Sequence, residues 1–189
     1  SNLTGIEGFT ALTTLFCNDN QLTDLDVSQN TALIKLDCYV NLLTSLDVSE
    51  NTALTRLFCF DNQLTGLDVR NGNNTNLTGE DFNASNNPDL TCIFVDDVSY
   101  SNTTWTNIDS TSNFVADEAE CDALFTAIPD ANFELALIDL GIDTNSTPDF
   151  QVPTANISGV TELDVAVNNI SNLTGIEGFT ALTNLYCED

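Results

Sequence analysis

The apolar positions of the first part of the chain recur at a fixed interval of 21 residues. The unit can be written LxxLxCxxNxLTxLDVSxNTA, and its halves LxxLxCxxN and LTxLDVSxN have the same shape. A unit of this size cannot bury its own apolar face, so the pattern predicts that successive units stack as coils and join their apolar columns into one core. These columns are Leu12/Leu33/Leu54, Leu15/Leu36/Leu57, Cys17/Cys38/Cys59, Leu22/Leu43/Leu64, Leu25/Leu46/Leu67 and Val27/Val48/Val69.

Two columns of asparagine accompany the apolar ones. Asn20, Asn41 and Asn62 form the first, and the second carries Asn30 and Asn51 and lapses at Gly72. Buried polar groups need hydrogen-bond partners. We therefore expect these side chains to bend the chain out of the strands and to bond the backbone of neighbouring coils, which is a structural role.

Residues 128–143, IPDANFELALIDLGID, break the 21-residue pattern and predict a single helix. Asp130 is a suitable N-cap and Gly141 a suitable stop. The apolar stripe at helical spacing consists of Phe133, Ala136, Leu137 and Leu140. The repeat pattern then restarts, with a 22-residue step from Val160 to Leu182.

The 21-residue unit resembles the bacterial subclass of leucine-rich repeats whose two halves mimic each other. Residues 90–109, LTCIFVDDVSYSNTTWTNID, resemble the closing segment of such repeats in secreted proteins of Bacteroidota-type bacteria. The predicted helix resembles the N-terminal capping helix of the same family, and VTELDVAVNNISNLTGIEGFTAL is similar to internalin-type repeats. The resemblance implies a repeat solenoid, mainly β with short parallel strands, with a capping helix and a disulfide-closed C-terminal cap.

The end of such a solenoid exposes apolar side chains and strand edges that need a cover. We expect Tyr100, Trp105 and Phe114 to supply it. An aromatic ligand site at these three residues is the alternative interpretation.

The segment SNLTGIEGFTALT occurs twice, at Ser1–Thr13 and again 170 residues later at Ser171–Thr183. A single closed domain needs only one copy, so we expect the chain to be one slice of a longer tandem array, and the absence of Met agrees with a start inside a longer protein. The predicted order is repeat coils of one module at 1–95, its C-terminal cap at 96–121, a joint at 122–127, the N-terminal cap of the next module at 128–159, and that module's first coils at 160–189.

The charge balance excludes several classes of function. The chain has 3 basic and 29 acidic residues and a net charge of −26. This disfavours binding to nucleic acid or to anionic membranes, because phosphate contacts require Lys and Arg. No apolar run approaches the roughly 20 residues of a membrane span. Such acidity suits an extracellular or cell-surface protein that its own charge keeps soluble.

Catalysis finds no support among the residues. The chain has no His, so a Ser–His or Cys–His pair is excluded. The carboxylates are numerous, and no two of them stand out as a glycosidase couple. We predict a protein that is not an enzyme and has no cofactor, with Ca²⁺ as the one ion to consider.

The six cysteines divide into two kinds. Cys17, Cys38, Cys59 and Cys187 share one coil position among inward leucines and are expected to be small buried hydrophobes. Metal binding is a poor alternative there, because a single column cannot arrange four ligands tetrahedrally. Cys92 and Cys121 lie outside the column, and we predict that they form a disulfide, which implies an oxidising compartment.

The outward positions of the first half-repeat form one candidate binding surface. They stack as Thr14/Lys35/Arg56, Phe16/Asp37/Phe58 and Asn18/Tyr39/Phe60. Because neighbouring coils lie ~4.8 Å apart, their basic and aromatic members should be contiguous; we call Phe16, Lys35, Tyr39, Arg56, Phe58 and Phe60 the concave patch. Exposed patches of this kind usually mark contacts. A surface glycan or a protein is the predicted ligand, and packing against a neighbouring module or incidental exposure is the alternative.

Three weaker candidates complete the sequence analysis. Asp26, Asp47 and Asp68 form an outward ladder, interpreted as a solvated acidic face, with divalent cations as the alternative. Asp143, Asn145, Thr147 and Asp149 follow D-x-N-x-T-x-D, like the start of a calcium loop, although the usual Gly and terminal bidentate Glu are missing. Asp109-Ser110-Thr111 resembles the short O-glycosylation motif of Bacteroidota-type bacteria, with Ser110 as the acceptor.

Two functions remain in view. The first is a structural subunit of an extracellular tandem-module array or filament, whose partners are copies of itself joined head to tail. The second is a cell-surface adhesin that uses the concave patch. Family resemblance cannot choose between them. The face that makes contacts discriminates them, since an array uses the caps and an adhesin uses the concave patch.

Overall fold

The computed structural model describes residues 2–188, which divide into two compact units, Ser1–Asp117 and Glu118–Asp189. The division falls before the predicted end of the C-terminal cap at residue 121. Residues 122–127 are not a bare joint, because Phe125–Ala127 form a strand of the second unit. That strand pairs antiparallel with Gln151–Pro153, so the chain enters the second unit's fold earlier than the sequence pattern indicated.

The first unit contains two four-stranded sheets built only from parallel pairs, which we call the first and the second sheet. The strands are β1 Thr14–Phe16, β2 Lys35–Asp37, β3 Ser45–Asp47, β4 Arg56–Phe58, β5 Gly66–Asp68, β6 Phe82–Asn83, β7 Cys92–Phe94 and β8 Asn113–Val115. The first sheet has the order β1-β2-β4-β6 and the second has the order β3-β5-β7-β8. First halves of the 21-residue repeats supply β1, β2 and β4 of the first sheet, and second halves supply β3 and β5 of the second, whereas the second half of the first repeat, residues 21–30, forms no strand.

The pairing register of the first sheet equals the repeat of the sequence. Leu15 lies opposite Leu36, and Leu36 lies opposite Leu57. The inward leucines of both sheets meet in one buried cluster with the Cys and Val columns, so these columns share one core, and the solenoid as a whole stays a prediction. Each fully buried side chain of this size contributes roughly 1.5–3 kcal/mol, so the repeated columns supply the stability of the unit.

Asn41 and Asn62 join neighbouring coils as predicted, whereas Asn20 is exposed and its side chain donates to carbonyls of its own coil. Asn62 donates from Nδ2 to the carbonyls of Cys38 and Cys59, both at 3.1 Å, and accepts from the amide of Leu43 at 3.0 Å. Asn87 repeats this set of bonds one coil later, a continuation that the sequence pattern missed because the interval lengthens there.

The second asparagine column does not lapse at Gly72, which corrects the sequence interpretation. Asn71, one residue earlier, is buried and donates to the carbonyl of Asn51 at 3.2 Å. Asn51 in turn donates to the carbonyls of Val27 and Asn30. The column therefore continues with a shift of one residue.

Aromatic side chains pack against the last coils of the first unit. A short 3-10 helix at Asn74–Asn76 and helix α1, Val98–Thr104, carry the chain over this region. The wholly buried indole of Trp105 stacks on Phe82 at 4.2 Å between centroids and donates to the carbonyl of Leu77 at 2.8 Å. Phe114 and Tyr100 meet the indole edge-on at 5.7 Å and 6.3 Å, so the three residues expected to cover the core do pack on it.

The second unit combines short helices with two small sheets. Its elements are α2 Glu118–Asp122, β9 Phe125–Ala127, α3 Ala131–Asp139, β10 Gln151–Pro153, α4 Thr154–Ile157, β11 Glu162–Asp164 and β12 Asn184–Tyr186. Strands β9 and β10 are antiparallel, whereas β11 and β12 are parallel and restart the repeat register. A core of Ile128, Phe133, Leu137, Val152, Ile157, Leu163 and Phe179 joins the helices to the restarted coil.

Helix α3 is shorter than the predicted helix at 128–143. It begins after Asp130, whose side chain accepts from the amides of Asn132 and Phe133 as expected of an N-cap. Leu140 is the C-cap and is half exposed, so it does not belong to the buried stripe. Gly141 follows with φ 69°, the left-handed conformation that ends a helix. None of the helices within residues 2–188 is long and apolar enough to cross a membrane.

Candidate functional site

The register of the first sheet brings the concave patch together. Strands β1, β2 and β4 align Phe16, Asp37 and Phe58, and they align Thr14, Lys35 and Arg56 beside them. The patch consists of side chains on the face of these strands that points away from the leucine core. The prediction that these columns are adjacent is therefore confirmed, whereas ligand binding by them stays a prediction.

The aromatic members of the patch are ordered against one another. The rings of Tyr39 and Phe60 stack with 4.4 Å between centroids and 6° between planes. Phe58 meets Phe60 edge-on at 6.2 Å. Phe16 is 59% exposed, while the other three rings are partly exposed. The patch thus presents preformed aromatic surfaces of the kind that stack on flat apolar faces of a ligand.

The cations of the patch are less available than the sequence suggested. Arg56 binds Asp37 through two hydrogen bonds of 2.9 Å each, and its guanidinium lies 4.0 Å from the centroid of Phe58. The hydrogen bonds to Asp37 raise the pKa of Arg56. Asp37, which the sequence placed among outward residues, is buried beneath this contact. Within residues 2–188, Lys35 makes no ion pair, so it is the cation of the patch that faces solvent.

The acidic ladder has a local structural role. Asp26, Asp47 and Asp68 each accept a hydrogen bond from the backbone amide two residues later, at 2.8–2.9 Å. The bond from the amide of Ser28 lowers the pKa of Asp26. Asp68 also forms an ion pair with Arg70 at 2.6 Å. The recurrence of Asp at this repeat position is explained by the turn that its hydrogen bond stabilises. This explanation does not require a bound cation.

The predicted calcium-loop residues are only partly brought together. The amide of Asn145 donates to Asp143 Oδ1 at 3.1 Å, and its side chain donates to Asp149 Oδ2 at 2.9 Å. Thr147 is exposed. Glu134, which lies outside the calcium-loop pattern, joins Asp143 and Asp149 instead, with one carboxylate oxygen of each within 4.8 Å of the others.

Glu134 reaches this cluster from the buried side of α3. Its carboxylate accepts from the amides of Asp149 and Phe150 at 2.6–3.0 Å. Burial raises the pKa of Glu134. In the sequence, Glu134 is an acidic residue directly after Phe133 on a helix whose inward positions are apolar. This placement points to a role for its carboxylate only once the position of the loop is known.

The cysteines separate as predicted, with one exception. Cys17, Cys38 and Cys59 are free and buried, and burial raises the pKa of Cys17 to about 11 and that of Cys59 to about 12. Cys187 is free but exposed, because strand β12 has β11 as its sole neighbour among residues 2–188. Cys92 and Cys121 are both disulfide-bonded.

Ser110 lies exposed in a turn between α1 and β8. The neighbouring Asp109 accepts from the amides of Asn86 and Asn87 at 3.0 Å and 2.7 Å. The carboxylate of the proposed modification motif therefore also holds two coils together, and glycosylation of Ser110 stays a prediction.

No protein-family model matches the chain, and no curated protein is significantly similar to it. Among solved structures, the chain is similar to the functional domain of InlJ from Listeria monocytogenes, which is described as including a cysteine ladder. The sequence identity is 30% and the TM-score is 0.45. The comparison covers 99% of this chain and 46% of that structure, so the chain spans less than half of its length.

Proposed function

We propose that this chain belongs to a non-enzymatic, extracellular leucine-rich-repeat solenoid whose modules follow one another in a tandem array or filament. The observation that carries the proposal is the different surroundings of the two identical 13-residue segments. Both segments have the same local backbone, since Gly5 and Gly175 have φ angles of 104° and 101° and each precedes a 3-10 turn, at Ile6–Gly8 and Ile176–Gly178.

The second segment is covered by the elements that precede it in the chain. Phe179 is 4% exposed, and its ring lies 6.3 Å from that of Phe133 on α3. A β-carbon on Gly175 would collide with the side chain of Ile128 and the carbonyl of Ala127. The N-terminal cap of the second unit therefore fits closely over this surface.

Among residues 2–188, no cap element covers the first segment, whereas the next coil lies behind it. Phe9 is 64% exposed, and nothing lies near a β-carbon built on Gly5. Asn30 of the following coil donates to the carbonyls of Ile6 and Phe9. The second copy of the segment is covered by a cap, and the first copy is followed by further repeat coils. This supports a module in which the same segment has a cap before it and repeat coils after it.

The tandem arrangement follows from combining these two states. A cap that precedes each first coil, with further coils after it, gives a module of one 170-residue period. The next period would repeat the same contacts through the continuous chain. The disulfide-bonded state of Cys92 and Cys121 supports an oxidising, extracytoplasmic location.

The first experiment adds residues 118–170 in front of residue 1 and compares Phe9→Ala in the chain with and without this extension. Without it, the substitution should change the free energy of unfolding by less than ~0.5 kcal/mol, as for an exposed side chain. With it, the cost should rise to about 3–5 kcal/mol, the range for a buried Phe. Phe179→Ala, already buried, is the matched control and should be costly in both chains.

An equal and small effect of Phe9→Ala in both chains would show that the preceding cap does not cover the first segment. The biological assembly is tested by electron microscopy of the native protein. A regular axial spacing with one disulfide-bonded module per repeat supports the array. A dispersed native protein of a single module would exclude it and leave the adhesin as the function.

The alternative function is a surface adhesin, and the preformed Tyr39–Phe60 stack beside Phe16 and Lys35 favours it. The double substitution Phe58→Ala and Phe60→Ala should leave the core folded, since neither ring belongs to the leucine cluster. It should abolish capture in a screen of glycans and surface proteins. Leu42→Ala, an exposed change away from the patch, is the control, and unchanged capture by the double variant would exclude the patch.

A further inference from the structure

The second unit contains a concentration of negative charge without a basic residue. Lys35, Arg56 and Arg70 are all the basic residues of the chain, and none of them falls in residues 118–189. Within these residues, Glu134, Asp143 and Asp149 converge to within 4.8 Å. Like charges this close repel strongly when they are removed from water.

Burial makes the convergence costly. Glu134 is wholly buried and Asp143 is 2% exposed, whereas Asp149 lies exposed at the edge of the cluster. A carboxylate at such a position is found paired, hydrogen-bonded or bound to a metal. Hydrogen bonds account for only part of this cluster.

The hydrogen bonds leave one oxygen open. Glu134 accepts from the amides of Asp149 and Phe150, and Asp143 Oδ1 accepts from the amide of Asn145. Asp149 accepts from the side chain of Asn145 and the amide of Gln151. Asp143 Oδ2 is buried and has no hydrogen-bond partner among the described residues. A cation would satisfy this buried carboxylate oxygen and also reduce the repulsion from the two neighbouring carboxylates.

We propose that Glu134, Asp143 and Asp149 bind one Ca²⁺ ion, with Asp143 Oδ2 as its most buried ligand. The donor set consists of oxygens alone, which suits a hard cation. Ca²⁺ accepts 6–8 oxygens in variable geometry, whereas Mg²⁺ requires a near-ideal octahedron. Backbone carbonyls of the loop and water can complete the coordination of Ca²⁺.

The ligand set differs from the one that the sequence pattern suggested. The calcium-loop pattern begins at Asp143 and lacks the terminal Glu of such loops. Glu134 supplies that carboxylate from the helix before the loop. The ion therefore joins α3 to the loop that leads into β10, and β10 pairs with β9. Its binding stabilises the cap that covers Phe179, and this site does not depend on the proposed array.

The test is calorimetric titration of the whole chain, first stripped with EDTA, with CaCl₂. One saturable site is expected, with a dissociation constant on the order of 10⁻⁴–10⁻³ M, as in extracellular calcium modules. Asp143→Asn should remove this site. Asp139→Asn is the matched control, because it makes the same charge change at an exposed position of α3, and it should keep the site.

Thermal unfolding gives a second, distinctive readout. In EDTA, Asp143→Asn should unfold at a higher temperature than the native chain, because it removes a buried negative charge. In ~10 mM CaCl₂, which is about ten times the largest expected dissociation constant, the native chain should unfold at the higher temperature. The same order in both conditions would contradict the site.

The amide resonances of Asn145, Asp149 and Phe150 in the unsubstituted protein test the site without any variant. They should shift in a saturable manner as CaCl₂ is added and shift far less with MgCl₂. Absence of a saturable shift up to ~10 mM Ca²⁺ would overturn the proposal. Equal loss of binding in Asp139→Asn would also overturn it, since it would assign the binding to general surface charge.

Discussion

At the residue scale, the asparagine columns show why the repeat tolerates a polar side chain in its core. A side-chain amide has two donors and an acceptor, and Asn41, Asn62 and Asn87 each use them to join two coils. Asn41 donates to the carbonyls of Cys17 and Cys38 and accepts from the amide of Leu22, as Asn62 does one coil later. The column is therefore a ladder of backbone bonds made through side chains.

Replacing Asn62 by Ala should destabilise the first unit by about 2–4 kcal/mol. The substitution leaves the buried amide of Leu43 without its partner, at a cost of about 1–3 kcal/mol, and removes one bond from each of the carbonyls of Cys38 and Cys59, at about 0.5–1.5 kcal/mol each. Those two carbonyls keep the bonds from Asn41 and Asn87. Asn20→Ala is the matched control and should cost under ~1 kcal/mol. Asn20 is exposed and donates to carbonyls of its own coil, at Cys17 and Asn18.

Urea unfolding followed by circular dichroism measures both variants. If Asn62→Ala were no more destabilising than Asn20→Ala, water would be replacing the lost bonds and the ladder would not hold the coils.

Residue roles were predictable where a position repeats with neighbours on both sides. The Leu, Cys and first Asn columns are of this kind, and their burial follows from periodicity alone. Asn71 shows where periodicity fails, since a shift of one residue keeps the bond and breaks the pattern. Cys187 shows a second failure of periodicity. It has the same repeat position as the buried cysteines but is exposed, because within residues 2–188 strand β12 pairs with β11 alone.

At the element scale, Asp130 connects the start of helix α3 with the restarted repeat. Its Oδ1 accepts from the amides of Asn132 and Phe133, and its Oδ2 accepts from the hydroxyl and amide of Ser171 and the amide of Asn172. The hydrogen bonds from Ser171, first from its hydroxyl, lower the pKa of Asp130 to about 2. One carboxylate thus both caps the helix and anchors it to the coil that it covers.

The stability that Asp130 contributes should decrease in acid. Its pKa in the folded state, about 2, lies below the unfolded value of ~3.9. The contribution is therefore fully present above the unfolded pKa and is lost as the pH falls from about 4 through about 2. Asp130→Asn removes this titration and preserves a capping oxygen.

Urea unfolding of the native chain and of Asp130→Asn at a series of pH values from 6 to 2 measures the effect, because other carboxylates titrate equally in both. The native chain should be the more stable at pH 6, and the difference should shrink below pH 4. A difference that stays constant over this range would show that the bonds to Ser171 do not depend on the charge.

Elements defined by local signals were predictable, and elements defined by distant partners were not. The N-cap and stop of α3 follow from Asp130 and Gly141, and the register of the first sheet follows from the repeat. The sequence predicts a joint where strand β9 lies, because its partner β10 begins 24 residues further on and neither carries an alternating pattern. Glu134 was missed for the same reason, since its role appears only when the loop at 143–151 folds back on α3.

At the scale of the whole molecule, acidic residues greatly outnumber basic ones, and the basic residues lie close together in the sequence. The net charge is −26, and the three basic residues all lie between positions 35 and 70. Arg56 and Arg70 are held by Asp37 and Asp68. Lys35 therefore lies in a strongly negative field, which favours ligands without negative charge at the concave patch and opposes close approach of other acidic chains.

This imbalance predicts that salt stabilises the fold. Raising NaCl from ~0.01 M to ~0.1 M shortens the screening length from about 30 Å to about 10 Å, so repulsion between distant carboxylates weakens. The same change weakens the two ion pairs, but partly exposed pairs contribute only ~0–1 kcal/mol each. Repulsion among the excess carboxylates should dominate, and the midpoint of thermal unfolding should rise with salt.

A net gain of 1 kcal/mol would raise Tm by roughly 4–8 °C in a unit of 60–100 residues, which calorimetry resolves easily. EDTA in every sample keeps trace Ca²⁺ from contributing at Glu134, Asp143 and Asp149. The rise should be steep at low ionic strength and level off once the screening length is shorter than the spacing of most charges. A Tm that falls with salt would contradict the prediction, because it would mean that the bonds of Arg56 and Arg70 outweigh the repulsion of all the remaining carboxylates.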